Sequence, residues 1–181
     1  TFLWDIGIEA SHSTRTINEC IKQSKKDVSV GTSLLESRSI FGSSELFTEY
    51  EKKVLLKQSW KNEKFFAAKI DEQSNRHNRF NNTAYNLEPN IKDGPGGLRD
   101  AHTIFWIAKK LGYKSIAGLE KDNILNNEQV KLLLESWGLL SKIRFALHSL
   151  AKRPEDRLLF DYQRILADNF GHKDSEHLMA V

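Results

Sequence analysis

Asn86-Leu87-Glu88-Pro89-Asn90-Ile91-Lys92-Asp93-Gly94-Pro95-Gly96-Gly97-Leu98-Arg99-Asp100 is the stretch on which the reading of this sequence turns. It gathers three of the chain's ten glycines and two of its three prolines. Each proline fixes its own φ and biases the residue before it away from helix, while the glycines admit turns closed to other residues. The loop is therefore shaped. Beyond it, Leu98, Ala101, Ile104, Phe105, Ala108 and Leu111 recur at helical spacing, and Trp106 and Ile107 widen the apolar face. That pattern predicts a centrally buried helix entered through a rigid turn.

A glycine turn feeding a helix N-terminus exposes backbone N–H groups and a partial positive charge, which suits a phosphate or carboxylate. Lys92 and Arg99 place cationic donors beside Gly97. The same residues also serve as a plain turn between helices, with Asp100 complementing the dipole of the helix it opens.

Composition bounds the class. The chain has 181 residues, 39% hydrophobic and 28% charged, enough for one core and an appended piece. No apolar run approaches the roughly 18 residues of a membrane span, and no signal peptide opens the chain. Cys20 is the single cysteine, so no internal disulfide forms and a cytoplasmic setting is expected. A net charge of +3 is too small to argue for nucleic acid. The chain begins at Thr1, with its single methionine at Met179, and reads as part of something longer.

Upstream of the loop, Phe2 to Ala10 alternates, with Asp5 and Glu9 on one side and Phe2, Trp4, Ile6 and Ile8 on the other. A period of two predicts a strand carrying two carboxylates on one face, which could hold a divalent metal or merely keep an edge soluble. Thr16-Ile17-Asn18-Glu19 is a capping box for a short helix. Asp27 caps a second, predicted to run to Gly42, and Ser43 or Ser44 opens a third to about Trp60. On the next, Phe66, Ile70, Gln73, His77 and Phe80 form a stripe, with Arg76 and Arg79 on the wetter side. Asn126 or Asn127 opens the longest helix, to about Ala151, on which Ser141, Arg144, His148 and Lys152 line a cationic face. Asp161 caps the last, to about Asn169.

The expected fold is mainly α: six or seven helices after one or two N-terminal strands left from an α/β core. No zinc-type cluster, nucleophile elbow or GxxxxGK[ST] loop is present in the sequence.

Leu3-Trp4-Asp5-Ile6-Gly7-Ile8-Glu9 with His12 to Thr16, Leu34 to Arg38, Phe66 to Lys69 with Arg76-His77, the glycine loop through Arg99-Asp100, Ile143 to His148 and Arg157 to Asp161 together carry a resemblance. In this order, over nearly the whole chain, they resemble the bifunctional uridylyltransferase/uridylyl-removing enzymes that modify the PII nitrogen-signalling protein. The resemblance implies residues 1–15 as the C-terminal edge of a nucleotidyltransferase core and 16–181 as the helical domain that follows. It implies transfer of UMP from UTP to a PII tyrosine with Mg²⁺, and downstream hydrolase and glutamine-sensing domains. Asp5 matches the family's third metal-binding carboxylate and is the implied catalytic residue, with Glu9 as fallback; Lys92, Gly97 and Arg99 are candidates for holding nucleotide or acceptor. The family's Asp-x-Asp pair does not occur in this sequence, so the segment alone is expected to be inactive. Two other readings stand beside this one: a non-catalytic helical docking module for PII or neighbouring domains, and a protein adenylyltransferase.

Overall fold

The computed structural model describes residues 2–8, 10–55 and 60–173. Among them are nine α-helices, one π-helical turn and no strand. The chain divides into two compact units, residues 1–61 and 62–181.

The first unit begins with a correction. Phe2–Asp5 forms a helical turn, α1, where alternation predicted a strand. Gly7, at φ +80°, closes it: its N–H donates to the Trp4 carbonyl, and that of Ile8 reaches back to Leu3 at 2.8 Å. This is a Schellman ending, which a glycine in the left-handed region permits. A strand needs a partner for every second backbone group, whereas the helical turn satisfies them locally.

α2 (Ile17–Lys26) starts with both hydrogen bonds of the expected capping box, Thr16 N–H to Glu19 Oε2 at 2.7 Å and Glu19 N–H to Thr16 Oγ1 at 3.3 Å. α3 (Val28–Leu35) is capped by Asp27, whose carboxylate accepts from Ser29 N–H at 2.7 Å. It stops seven residues before Gly42. The Ser37 and Tyr50 hydroxyls both donate to the Leu34 carbonyl, at 2.7 and 3.0 Å, replacing the next helical bonds. Ile40 and Phe41 consequently lie in an exposed connection. α4 (Ser44–Tyr50), capped by Ser43, continues into the π-helical turn Glu51–Leu55.

The second unit is built on α5 (Asn62–Asn78), α6 (Leu98–Lys110), α7 (Ala117–Lys121), α8 (Asn127–Ala151) and α9 (Phe160–Asn169). α8 joins two cores. Towards its start Val130 packs with Ala108, Ile116 and Leu119; towards its end fully buried Leu147 packs with Ile91 and Leu166. Burying each such aliphatic side chain contributes about 2 kcal/mol. α5 turns a different face inward from the predicted one: Phe65, Lys69 and Arg76 are buried, while Phe66 and Ile70 are exposed. The α9 N-terminus is held by Glu88, which accepts from Phe160 N–H at 3.1 Å, and not by Asp161. No described helix is long and apolar enough to cross a membrane.

Candidate functional site

The glycine loop lies in the second unit, and its backbone explains its composition. Asn90 pairs with Arg157 in an isolated antiparallel bridge, with Ile91 N–H on the Asp156 carbonyl and Leu158 N–H on that of Pro89. The Asn90 side chain then accepts from the N–H groups of Lys92 and Asp93, at 3.1 and 2.7 Å, bending the chain back on itself. At Gly97 a Cβ would meet the carbonyl oxygens of Gly94, Ile91 and Lys92 at 2.8 to 2.9 Å, so no side chain fits. That crowding is productive, because Leu98 N–H donates to the Ile91 carbonyl and Arg99 N–H to that of Lys92. With Gly96 N–H on Asp100 Oδ2 and Gly97 N–H on Gly94, every N–H from Ile91 to Asp100 has an acceptor within the protein.

Two carboxylates anchor this loop to the helices around it. Asp100 Oδ1 accepts from Arg76 Nη2 at 2.6 Å and Gln73 Nε2 at 2.7 Å, and His77 Nε2 lies 3.0 Å from both its oxygens. Arg76 Nη1 also donates to the Asp93 carbonyl at 2.8 Å. Burial by itself pushes the Asp100 carboxyl up, but hydrogen bonds from Arg76, Gln73 and Gly96 outweigh it and hold its pKa below the usual carboxylate range. Asp156 forms the second anchor, with Arg144 Nε at 2.6 Å, Lys92 Nζ at 3.3 Å and His148 Nε2 at 3.4 Å. Its pKa is likewise lowered, burial being outweighed by Arg144 and Lys92.

The predicted residues fall into two groups. Lys92, Gly97 and Arg99 come together in this loop, with Lys92 paired to Asp156 and Arg99 set 3.5 Å from Asp93 and over the Trp106 ring. Asp5 belongs to the first unit, exposed on α1. Glu9 lies outside the described residues. Among the described residues no three His, Cys, Asp or Glu side chains converge as a metal site.

Sequence reasoning placed Gln73, His77, Arg144 and His148 on polar faces but not their partners. It assigned Arg76 to the wet side, where the structure buries it to 8% exposure against Asp100. Asp156 carried no signal, since its partners are 8, 12 and 64 residues away in sequence. Chemically, two ionised carboxylates saturated by cations form a rigid clip. Neither is poised to exchange a proton near neutral pH.

Comparison with known proteins gives this architecture a family. A profile described as GlnD PII-uridylyltransferase matches residues 64–181, the whole glycine-loop unit but for its first two residues. A bifunctional uridylyltransferase/uridylyl-removing enzyme of Hydrogenovibrio crunogenus is 46% identical over 175 residues, 96% of this chain and 20% of that protein. Enzymes of the same name from Pseudomonas savastanoi pv. phaseolicola and Azotobacter vinelandii are 43% and 44% identical over all of this chain and 20% of theirs. The chain thus spans about a fifth of the length of the curated relatives it matches. No solved structure matches it. The segment that clips its glycine loop between two charged anchors belongs to the GlnD PII-uridylyltransferase family.

Proposed function

We propose that this chain is the helical segment, with a short N-terminal extension, of an enzyme that transfers UMP from UTP to a tyrosine of PII and also removes it. The observation that carries the reading is the family match over residues 64–181, together with 42 to 46% identity to enzymes of that name across at least 96% of the chain. In this reading residues 1–15 close the nucleotidyltransferase core and 16–181 follow it. Asp5 supplies one carboxylate to a Mg²⁺ site completed by other segments of the whole protein. Lys92 and Arg99, whose side chains are 32% and 33% exposed, steady nucleotide phosphates or the acceptor. They do so through their side chains, because the loop's N–H groups are already paired. Transfer of labelled UMP to purified PII by the full-length protein, with and without Lys92→Ala/Arg99→Ala, tests this. Loss of transfer in the double variant with retained helicity supports it, and unchanged transfer removes the loop from the reaction.

The internally satisfied loop also favours a second reading, in which the helical segment is a docking module. α8 exposes Leu132, Leu139 and Phe145 at 65%, 56% and 76%. A module of this kind binds PII or a neighbouring domain without touching nucleotide. Protection of Lys92 from acylation by PII but not by UTP would select it.

A further inference from the structure

The first unit contains a groove that none of the assigned roles uses. It is about 800 Å³ in volume, lies between the start of α2, the connection 38–43 and the α4 to π-turn segment, and is lined by both polar and apolar residues. That volume falls within the range of small-molecule sites.

Its walls have two chemistries. One is aromatic: Phe47 and Tyr50 stack at 5.8 Å with an interplanar angle of 24°. The Tyr50 ring is fixed there by its hydroxyl, which donates to the Leu34 carbonyl and meets Ser37 Oγ at 2.7 Å. The other is cationic. Arg15 and Arg38 line the groove; neither forms an ion pair among the described residues, though the Glu19 carboxylate at the start of α2 lies close enough to Arg15 to interact with it electrostatically. Lys53 also lines it, but is paired at 2.5 Å with Glu49, the carboxylate in the lining, so that charge is neutralised within the wall. Beside Arg15 the α2 N-terminus enters the lining through Ile17 and Asn18, whose N–H groups have no acceptor among the described residues. Two forked cations, open amides and a fixed aromatic wall in one cavity match a ligand with a polyanionic tail and a flat ring.

We propose that this groove binds a nucleoside polyphosphate, its phosphates on Arg15, Arg38 and the start of α2, and its base against Phe47 and Tyr50. The choice of a uridine nucleotide as the occupant rests on the proposed UMP transfer; the anion and flat-ring requirement rests on the groove itself. It assigns nucleotide contacts to the first unit, beyond the glycine loop. The π-helical turn fits this role, since such turns recur at functional sites by re-aiming side chains along a helix.

Cys20 lines the groove, is partly exposed and is the chain's single cysteine, so its alkylation reports occupancy independently of activity. The experiment follows N-ethylmaleimide modification of the 181-residue chain in EDTA, alone and with UTP, ATP, inorganic tripolyphosphate or uridine. UTP is expected to slow alkylation saturably, tripolyphosphate more weakly and uridine least. Arg15→Gln/Arg38→Gln is expected to abolish protection while leaving far-UV circular dichroism unchanged. In the full-length enzyme the same pair is expected to raise the KM for UTP about tenfold or more. Equal protection by ATP and UTP keeps the site and removes its base preference. An alkylation rate indifferent to UTP, or protection that survives the double substitution, overturns the proposal, as does an unchanged KM. UMP transfer with an unprotected Cys20 sinks the groove and leaves the function standing. Protection of Cys20 in a full-length protein that transfers no UMP does the reverse.

Discussion

Arg76 on α5 and Asp100 on α6 meet at 2.6 Å, each side chain less than a fifth exposed. Twenty-four residues apart in sequence, they join the two helices and, through the Asp93 carbonyl, the loop between them.

Removing one side of this pair leaves the other largely buried without its ion partner: Asp100 keeps only Gln73, His77 and Gly96 N–H, and Arg76 only the Asp93 carbonyl. Arg76→Ala and Asp100→Ala are each expected to cost about 3 kcal/mol, and the double variant less than their sum. Chemical denaturation of the four proteins, read as a double-mutant cycle, checks this. Additive costs would mean that the contact contributes nothing beyond packing.

Acid sensitivity follows from the same anchors. Asp100 and Asp156 both have folded pKa values below the unfolded value of about 3.9, so the unfolded chain takes up protons first. Their contribution is fully present above the unfolded pKa and is lost as pH falls through the folded one. Stability should be flat on this account above about pH 5 and decline below about pH 4, and Asp100→Asn/Asp156→Asn should flatten the decline. Denaturation midpoints measured from about pH 6 down to about pH 2 decide the matter.

Two glycines give opposite expectations for one substitution. Gly97→Ala forces a Cβ to within 2.8 to 2.9 Å of three backbone oxygens and should destabilise by about 2 kcal/mol or more. Gly138, in the middle of α8 with nothing within 4 Å of a Cβ, should accept alanine with a gain of about 0.5 to 1 kcal/mol. Thermal melts of both variants against the parent test the pair together.

At the start of α8, Asn126 accepts from Gln129 N–H at 2.8 Å while Gln129 Oε1 accepts from Asn126 N–H at 2.9 Å. Asn126→Ala should cost about 1 kcal/mol, and Asn126→Ser much less. Hydrogen exchange at the amides of residues 127–130 should rise in the alanine variant before that of residues 143–147.

Local chemistry decided much of this fold without help from tertiary contacts. The capping boxes at Thr16 and Asn126, the Asp27 cap and the bounds of α8 follow from residues two to four apart, whose hydrogen bonds form within one helical turn. The glycine loop was legible as shaped for the same reason: Asn90, Gly94 and Gly97 act on neighbours a few residues away. Alternation at Phe2 to Ile8 misled because a strand is defined by a partner, and the helical turn closed by Gly7 needs none. α3 ended early through Tyr50, a side chain sixteen residues beyond the carbonyl it caps. Which face of α5 turned inward, and that Arg76 and not Phe66 lay on it, depended on the Asp100 carboxylate offered by another helix. The Asp156 anchor and the groove lined by Arg15, Arg38 and Tyr50 likewise exist only once distant segments meet. Helix starts and turns are intramolecular chemistry at short range and are written locally; a buried ion pair or a cavity requires desolvation by several segments at once, and only the tertiary structure supplies that.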